Sequence, residues 1–216
     1  MTNEDWSPRF TARVAEQMRH ARKAASLTVA EAAEACTALG LAVPKTTITN
    51  LETGRRSSID LAEFLVLAEV YKVPPISLLF PLGTEASVAV LPDREVATWE
   101  AVAWFTGETP LEKSAPQGSA REVLDTFRAH SDAAATAVTS TRLAKERRRK
   151  ASITLDSGRR ETLLEAAASY EQLAFDDCRE LREFRHAMHE RGLVPPALPA
   201  ELAFVDQPST NSEDSE

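Results

Sequence analysis

The sequence has little glycine, few cysteines and no long apolar segment, and each scarcity excludes a class of protein. Seven glycines in 216 residues argue against glycine-rich nucleotide loops. Two cysteines, Cys36 and Cys178, are too few for a disulfide scaffold and are expected to be reduced core thiols. No run of about 18 apolar residues occurs, so no membrane span is predicted. Residues 1–10 lack the basic start and apolar core of a secretory signal, which predicts a cytoplasmic protein.

Positive charge is also in short supply, which at first argues against nucleic acid as a partner. The chain carries 25 basic and 33 acidic residues, a formal net charge of −8. The acidic excess is not spread evenly. Residues 1–80 contain nine basic and nine acidic side chains, so the whole excess lies after residue 80. The N-terminal part is therefore neutral, and the objection applies only to the remainder of the chain.

What the N-terminal part does contain is apolar residues at helical spacing. Between residues 9 and 80 this pattern predicts a compact unit of five short helices, the first over residues 9–25. Thr28 followed three residues later by Glu31 is a capping-box signature, which predicts the start of a second helix that extends to about Leu39. Gly40 is expected to end it. The sequence therefore marks both ends of the second helix.

The third predicted helix, residues 45–52, is short and mostly polar. Only Ile48 and Leu51 are expected to point inward, and Gly54 suits the left-handed position that follows a helix. A fourth helix is predicted over residues 60–71, and a fifth begins after Pro74-Pro75 and ends at Phe80. The side chains that the fourth helix is predicted to bury are Leu61, Phe64, Leu65, Leu67 and Ala68.

A connecting segment, residues 83–118, follows the five helices. It contains one predicted strand, residues 87–91, and a short helix, residues 98–105. Trp99 and Trp104 on that helix are expected to pack against the N-terminal unit. Residues 107–119 are rich in Pro, Glu, Ser and Gly and are predicted to be a linker.

Two long helical patterns, residues 120–150 and 159–191, are joined by a short turn and predict an antiparallel hairpin within residues 119–205. One face of the second pattern repeats at spacings of three and four, typical of a coiled-coil contact. We interpret it as a dimerisation face formed by Leu163, Ala167, Tyr170, Ala174, Leu181, Phe184 and Met188. The acidic tail, residues 206–216, is predicted to be disordered.

No arrangement typical of catalysis or metal binding stands out. The sequence lacks the distinctive spacing of Ser-His-Asp, Cys-His or paired-carboxylate sites, so we predict no enzymatic activity and no cofactor. His186 and His189 have no convincing third ligand, so no metal site is predicted. The basic run at residues 145–150 is either a second phosphate-binding patch or, more commonly, a solvated helix end.

The N-terminal motifs occur in the order of a known domain. Residues 18–28 and 61–80 flank the most specific motif, Thr47-Ile48-Thr49-Asn50-Leu51-Glu52-Thr53-Gly54-Arg55-Arg56. Residues 9–80 resemble the phage-repressor-like (Cro-like, xenobiotic-response-element) helix-turn-helix family. The resemblance implies an all-α fold, with a five-helix lambda-repressor-like domain in residues 1–82 followed by the helical hairpin. Residues 36–44 depart from the pattern, because they are longer than the family's usual turn.

The resemblance also implies which residues bind DNA. The helix formed by residues 45–52 would enter the major groove, where the family's base readers correspond to Lys45, Thr46 and Asn50. Thr49 also faces outward there and is a fourth candidate for a base contact. Phosphate contacts would come from Thr28, Thr47, Arg55 and Arg56. The family's structural ion pair corresponds to Arg22 and Glu52, whose charged atoms are expected within about 4 Å of each other.

These expectations predict a sequence-specific double-stranded DNA-binding transcription regulator, a dimeric repressor located in the cytoplasm at the nucleoid. Because residues 1–80 carry no net charge, we expect modest non-specific affinity and a reliance on base contacts and on the dimer. Two alternatives remain open. One is a nucleoid-organising protein that bridges DNA with little specificity. The other is an antitoxin-like module in which residues 120–192 bind a protein partner and the DNA-binding domain only autoregulates.

Overall fold

The computed structural model describes residues 3–108 and 115–207, with side chains from Trp6 onward. It divides into two compact units, Met1–Glu112 and Lys113–Glu216. The fold is mostly helical, which confirms the predicted class. The elements in chain order are α1 Asn3–Ala24, α2 Val29–Ala38, α3 Lys45–Glu52, α4 Leu61–Val70, α5 Pro75–Leu79, β1 Ser87–Leu91, β2 Arg94–Ala97, α6 Thr98–Thr106, α7 Ala120–Ile153, α8 Ser157–Glu190 and a 3₁₀ helix, Ala200–Asp206.

Helix α1 begins earlier than the sequence predicted. Proline usually stops a helix, so the prediction started after Pro8, whereas the observed helix continues through it. Trp6 stabilises this additional turn. Its ring lies 5.3 Å from that of Phe10, and its indole N–H donates to the backbone oxygen of Ala89 at 3.3 Å. A tertiary contact therefore offsets the unfavourable local signal of the proline.

The first five helices enclose one apolar core. Each of these five helices contributes to the core, which includes Met18, Cys36, Ile48, Leu67 and Leu78. The predicted capping box at Thr28 is confirmed, as are the bounds of α3 at residues 45 and 52. Burying these side chains is the main favourable contribution to the stability of this unit.

The predicted buried face of α4 is only partly correct. Phe64, Leu67 and Ala68 are buried, but Leu61 and Leu65 are 70% and 49% exposed. The helix sequence is apolar on almost every side, so its periodicity alone does not determine which side faces the core. Packing against the other helices selects the face that contains Phe64 and Leu67.

Residues 87–106 fold as part of the N-terminal unit. The predicted strand is confirmed as β1, and it pairs antiparallel with a second strand, β2, that the sequence analysis missed. The hairpin and α6 form a small core around Phe80, Val90 and Val102. Trp99 and Trp104 were expected to pack against the N-terminal unit. Trp99 is instead 64% exposed, whereas Trp104 is 37% exposed and its ring lies 5.7 Å from the Arg94 guanidinium. Part of the predicted linker, residues 109–114, lies outside the described residues.

Helices α7 and α8 form the predicted antiparallel hairpin, joined by residues 154–156. Asp156 caps α8 by accepting a hydrogen bond from the amide of Arg159 at 2.7 Å. Small residues line the contact on both helices, including Ala137, Ala144 and Ala174. Their short side chains allow the two backbones to approach closely along the hairpin.

The residues assigned to dimerisation lie largely inside this hairpin. Ala167, Ala174, Leu181 and Met188 are buried within the single chain, and Leu163, Tyr170 and Phe184 are half-buried. The pattern on α8 was therefore recognised correctly as a helix–helix contact, but the helix that fills it is α7 of the same chain. Heptad periodicity identifies the contact face without distinguishing an intramolecular partner from a second copy.

The 3₁₀ helix is a third element of the C-terminal unit. Leu202 and Val205 are buried against Ala137, Cys178 and Leu181. The prediction of disorder is wrong at Asp206, whose carboxylate accepts two hydrogen bonds from the buried Arg185 at 2.7 and 2.9 Å. Residues 208–216, the rest of the predicted disordered tail, lie outside the described residues.

Arg185 also organises the polar interior of this unit. Its guanidinium donates to the backbone oxygen of Pro196 at 2.8 Å and to Nε2 of the buried His130 at 2.7 Å. Burial, and then the neighbouring Arg185 cation, lower the pKa of His130. The imidazole is therefore neutral near pH 7 and accepts the hydrogen bond.

Candidate nucleic-acid interface

Helix α3 presents a polar face to solvent and an apolar face to the core. Ile48 and Leu51 are buried, which fixes the rotation of the helix. The four residues predicted to contact bases, Lys45, Thr46, Thr49 and Asn50, are all exposed. Among the described residues, none of these four side chains makes a hydrogen bond or ion pair. The outward face is therefore available to an external ligand.

The long connection before α3 is ordered by one buried residue. Helix α2 ends at Ala38, and Gly40 adopts a positive φ of 94° that directs the chain away from the helix. Val43 is buried in the core, and Pro44 immediately precedes α3 in an extended conformation. The burial of Val43 thus anchors the loop of residues 39–44 just before the start of α3.

The turn after α3 contains the two predicted phosphate-binding arginines. Gly54 has a φ of 70°, and the amides of Arg55 and Arg56 both donate to the backbone oxygen of Asn50, at 2.9 and 3.1 Å. The Arg55 side chain is exposed and has no ion-pair partner in the described part of the chain. Arg56 instead donates to Glu63 of α4 at 2.5 Å. Arg55 is thus the cation of this turn that remains free for phosphate.

The predicted phosphate site at the start of α2 is already occupied by the helix cap. The Thr28 amide donates to the Glu31 carboxylate at 2.8 Å, and the Thr28 hydroxyl accepts from the Glu31 amide at 3.2 Å. The hydrogen bond from the Thr28 amide, and then the Thr28 side chain, lower the pKa of Glu31, so its carboxylate is ionised near pH 7. The capping box thereby places a negative charge beside Thr28, and this charge opposes the phosphate contact predicted there.

Arg22 of α1 and Glu52 of α3 form a two-point ion pair behind the exposed face. Arg22 Nε donates to Glu52 Oε1 at 2.7 Å and Nη2 to Oε2 at 2.6 Å, while Nη1 donates to the backbone oxygen of Leu27 at 2.7 Å. The two side chains are only 11% and 7% exposed. The hydrogen bonds to Glu52 raise the pKa of Arg22. This pair connects α1, the start of α2 and the end of α3.

Tyr71 is a buried neighbour of this ion pair that the sequence analysis did not identify. Burial, and then the charge of Glu52, raise the pKa of its hydroxyl, so the side chain remains neutral. Thr47, the remaining predicted phosphate contact, is half-buried on α3. Of the predicted DNA contacts, Lys45, Thr46, Thr49, Asn50 and Arg55 are therefore both exposed and unpaired within the described residues, whereas the exposed Thr28 is engaged in the helix cap.

An exposed polar helix, preceded by a capped helix and a loop and held from behind by a buried ion pair, is the arrangement of a helix-turn-helix domain. A family model described as "Helix-turn-helix domain" matches residues 13–78. The match confirms the recognition made from the sequence and is consistent with the phage-repressor-like, Cro-like family. Searches of curated proteins and of solved structures found no match to the chain.

The domain indicates a DNA-binding regulator, a class that is typically non-enzymatic. Residues 3–108 and 115–207 contain no group of three or more His, Cys, Asp or Glu side chains that could hold a metal ion. Within the same ranges, no helix combines the length and apolarity needed to cross a membrane.

Proposed function

We propose that this chain is a sequence-specific transcription regulator of double-stranded DNA, a dimeric repressor that reads the major groove with α3. One observation carries the proposal. Lys45, Thr46, Thr49 and Asn50 are exposed and unpaired on a helix whose opposite face is buried and fixed by the Arg22–Glu52 ion pair. An α-helix about 10 to 12 Å across fits the major groove of B-DNA.

The residue types on this face match the chemistry of base edges. Asn50 can make two hydrogen bonds to adenine, and Lys45 can donate to the acceptor atoms of guanine. The two threonines can offer a hydroxyl group or pack a methyl group against thymine. Arg55, in the turn beyond the helix, would bind phosphate and therefore contribute affinity without sequence preference.

A dimer is part of the proposal because one recognition helix reads only about 4 base pairs. Two copies held about 34 Å apart would read the two halves of a pseudo-palindrome. The face of α8 that carries Ala167 and Leu181 is filled by α7. The second copy would therefore bind a surface of the C-terminal unit outside that contact. Light scattering of the intact chain would measure its mass in solution and so distinguish a dimer from a monomer.

Asn50→Ala is expected to reduce affinity for the preferred site by about 1 to 3 kcal/mol and to relax the base preference at one position. The lost amide is exposed, so folding should not change. Selection of bound fragments from randomised DNA would first define the site, and gel-shift titrations would then compare variants. Lys72→Ala, an exposed residue of the same unit, is the control. An unchanged base preference in Asn50→Ala would refute the assignment of α3.

Arg55→Ala is expected to weaken binding to every DNA sequence about equally and to lower the slope of log affinity against log salt by about 1. The reason is that one phosphate contact and its released counterion are lost. Arg56→Ala is the matched comparison, because the Arg56 guanidinium is already bound to Glu63, and a smaller loss is expected. A change in base preference in Arg55→Ala would contradict the phosphate role.

Genome-wide occupancy separates this proposal from the two alternatives. A few sharp sites that share the selected sequence would support a specific regulator. Broad coverage without preferred sites would favour a nucleoid-organising protein. A second chain in stoichiometric amount after purification from the native cell would favour the partner-binding module.

A further inference from the structure

The C-terminal unit contains an open groove of about 980 Å³ between α7, α8 and the 3₁₀ helix. We call it the hairpin groove, and its apolar floor is formed by Ala144, Ala174, Phe175, Cys178 and Phe204. Phe175 and Phe204 are 61% and 44% exposed. Two large aromatic side chains beside one concave surface are a common feature of small-molecule sites, which usually measure about 300 to 1,000 Å³.

The groove exists because the 3₁₀ helix covers only part of the α7–α8 contact. Leu202 and Val205 of the 3₁₀ helix pack against Ala137 of α7 and Leu181 of α8 and exclude solvent from the contact there. Cys178 belongs to this buried cluster and also lines the hairpin groove. Toward the turn of the hairpin, no described element continues the cover, so the floor remains open to solvent.

The rim of the hairpin groove is cationic, although the chain as a whole is acidic. Five cationic and two acidic side chains line it. Both acidic side chains already have partners: Glu171 lies 3.7 Å from Arg148, and Glu201 is bound by Arg142 at 2.6 and 3.0 Å. The charge left on the rim is therefore positive.

Two of the rim cations interact with carboxylates only at longer range, Lys145 with Glu201 and Arg149 with Glu146. Lys145 and Arg149 lie four residues apart on α7 and therefore on the same helix face. Neither makes a side-chain hydrogen bond or close ion pair within the described ranges. A neighbouring lysine and arginine at the edge of an apolar floor are suited to a carboxylate, because charge-assisted hydrogen bonds favour an ionised acceptor.

We propose that the hairpin groove binds a small amphipathic organic anion, an aliphatic or aromatic carboxylate. Lys145 and Arg149 bind the carboxylate, and the apolar body of the ligand packs against Phe175 and Phe204. The cationic rim argues against a second copy as the occupant, since a symmetric contact through this face brings like charges together. All residues of this site belong to the C-terminal unit, and the proposal goes beyond the proposed function.

The test is isothermal titration of the full-length chain with decanoate, and with decanol as its uncharged match. Saturable one-to-one binding of decanoate is expected, with decanol bound at least about tenfold more weakly because it lacks the charge. Arg149→Glu and Phe175→Ser should each weaken decanoate binding by about tenfold or more. Both residues are exposed, so the variants should fold, and far-UV circular dichroism checks this.

Two control variants are matched to these changes. Arg160→Glu reverses an exposed charge near the hairpin turn, and Leu173→Ser removes an exposed apolar side chain of α8; neither residue lines the hairpin groove. Both should retain wild-type affinity for decanoate. Because this titration contains no DNA, its failure would leave the proposed regulatory function standing, and the reverse also holds.

Four results would overturn the proposal. The first is the absence of saturable decanoate binding, and the second is equal affinity for decanol. The third is a fall from dimeric to monomeric mass in Phe175→Ser, which would assign the hairpin groove to a second copy. The fourth is binding to phosphatidylglycerol vesicles but not to free decanoate, which would assign the cationic rim and the exposed Leu155 to a lipid surface.

Discussion

Glu52→Ala is expected to lower the free energy of unfolding of the N-terminal unit by about 3 to 5 kcal/mol. The substitution leaves the Arg22 guanidinium buried with only the Leu27 backbone oxygen as a partner. An uncompensated buried charge loses its hydration without regaining the Coulomb attraction of a partner. Because the pair connects α1 to the end of α3, DNA binding should be lost together with stability.

The measurement is urea unfolding followed by tryptophan fluorescence. All three tryptophans of the chain, Trp6, Trp99 and Trp104, lie in the N-terminal unit, so the signal reports that unit alone. Glu63→Ala breaks the more exposed pair with Arg56 and should cost less than about 1 kcal/mol. Equal losses in the two variants would show that the buried pair has no special role.

A double replacement separates charge from packing at this position. Arg22→Met combined with Glu52→Leu removes both charges and fills the same space with apolar groups. Exchanges of this kind are often neutral or stabilising, so most of the stability lost in Glu52→Ala should return. If the double variant is as unstable as the single one, the ion pair itself, rather than the avoidance of an unpaired charge, is required for the fold.

Leu202→Ala is expected to lower the free energy of unfolding of the C-terminal unit by about 2 to 5 kcal/mol. Leu202 is fully buried at the point where the 3₁₀ helix meets the α7–α8 contact, and truncation leaves a cavity lined by Ala137, Cys178 and Leu181. Far-UV circular dichroism, which follows the long helices, should show an earlier transition. Tryptophan fluorescence should be unchanged, because the C-terminal unit contains no tryptophan.

Val194→Ala provides the control for this change. Val194 follows α8 and is 79% exposed, so its truncation should alter stability by less than about 0.5 kcal/mol. A Leu202→Ala variant that unfolds like the wild type would show that the 3₁₀ helix is not packed on the hairpin in solution. That result would also remove one wall of the hairpin groove.

The sequence alone was most informative where the structural signal is local. The capping box at Thr28, the bounds of α3 and the left-handed Gly54 were all predicted correctly. Each depends on hydrogen bonds or backbone angles within a few residues, and such short-range preferences can be recognised without knowledge of the fold. The same signals, in their order, identified the helix-turn-helix domain.

Predictions that required a choice of partner were less successful. The sequence identified the apolar face of α8 but could not show that α7 covers it. It could not show that Leu61 and Leu65 face solvent, nor that Arg56 pairs with Glu63. Asp206 was placed in a disordered tail because its binding to Arg185 joins residues 21 apart in the chain.

The sequence by itself therefore determined the helical class, the helix-turn-helix domain and the polar face of α3. Only the tertiary structure decided which faces are covered and which charges are paired, leaving Arg55 exposed and the hairpin groove open. The physical reason is that periodicity and capping depend on neighbours along the chain. Burial and ion pairing depend on distances between segments, and those distances are fixed only when the helices pack.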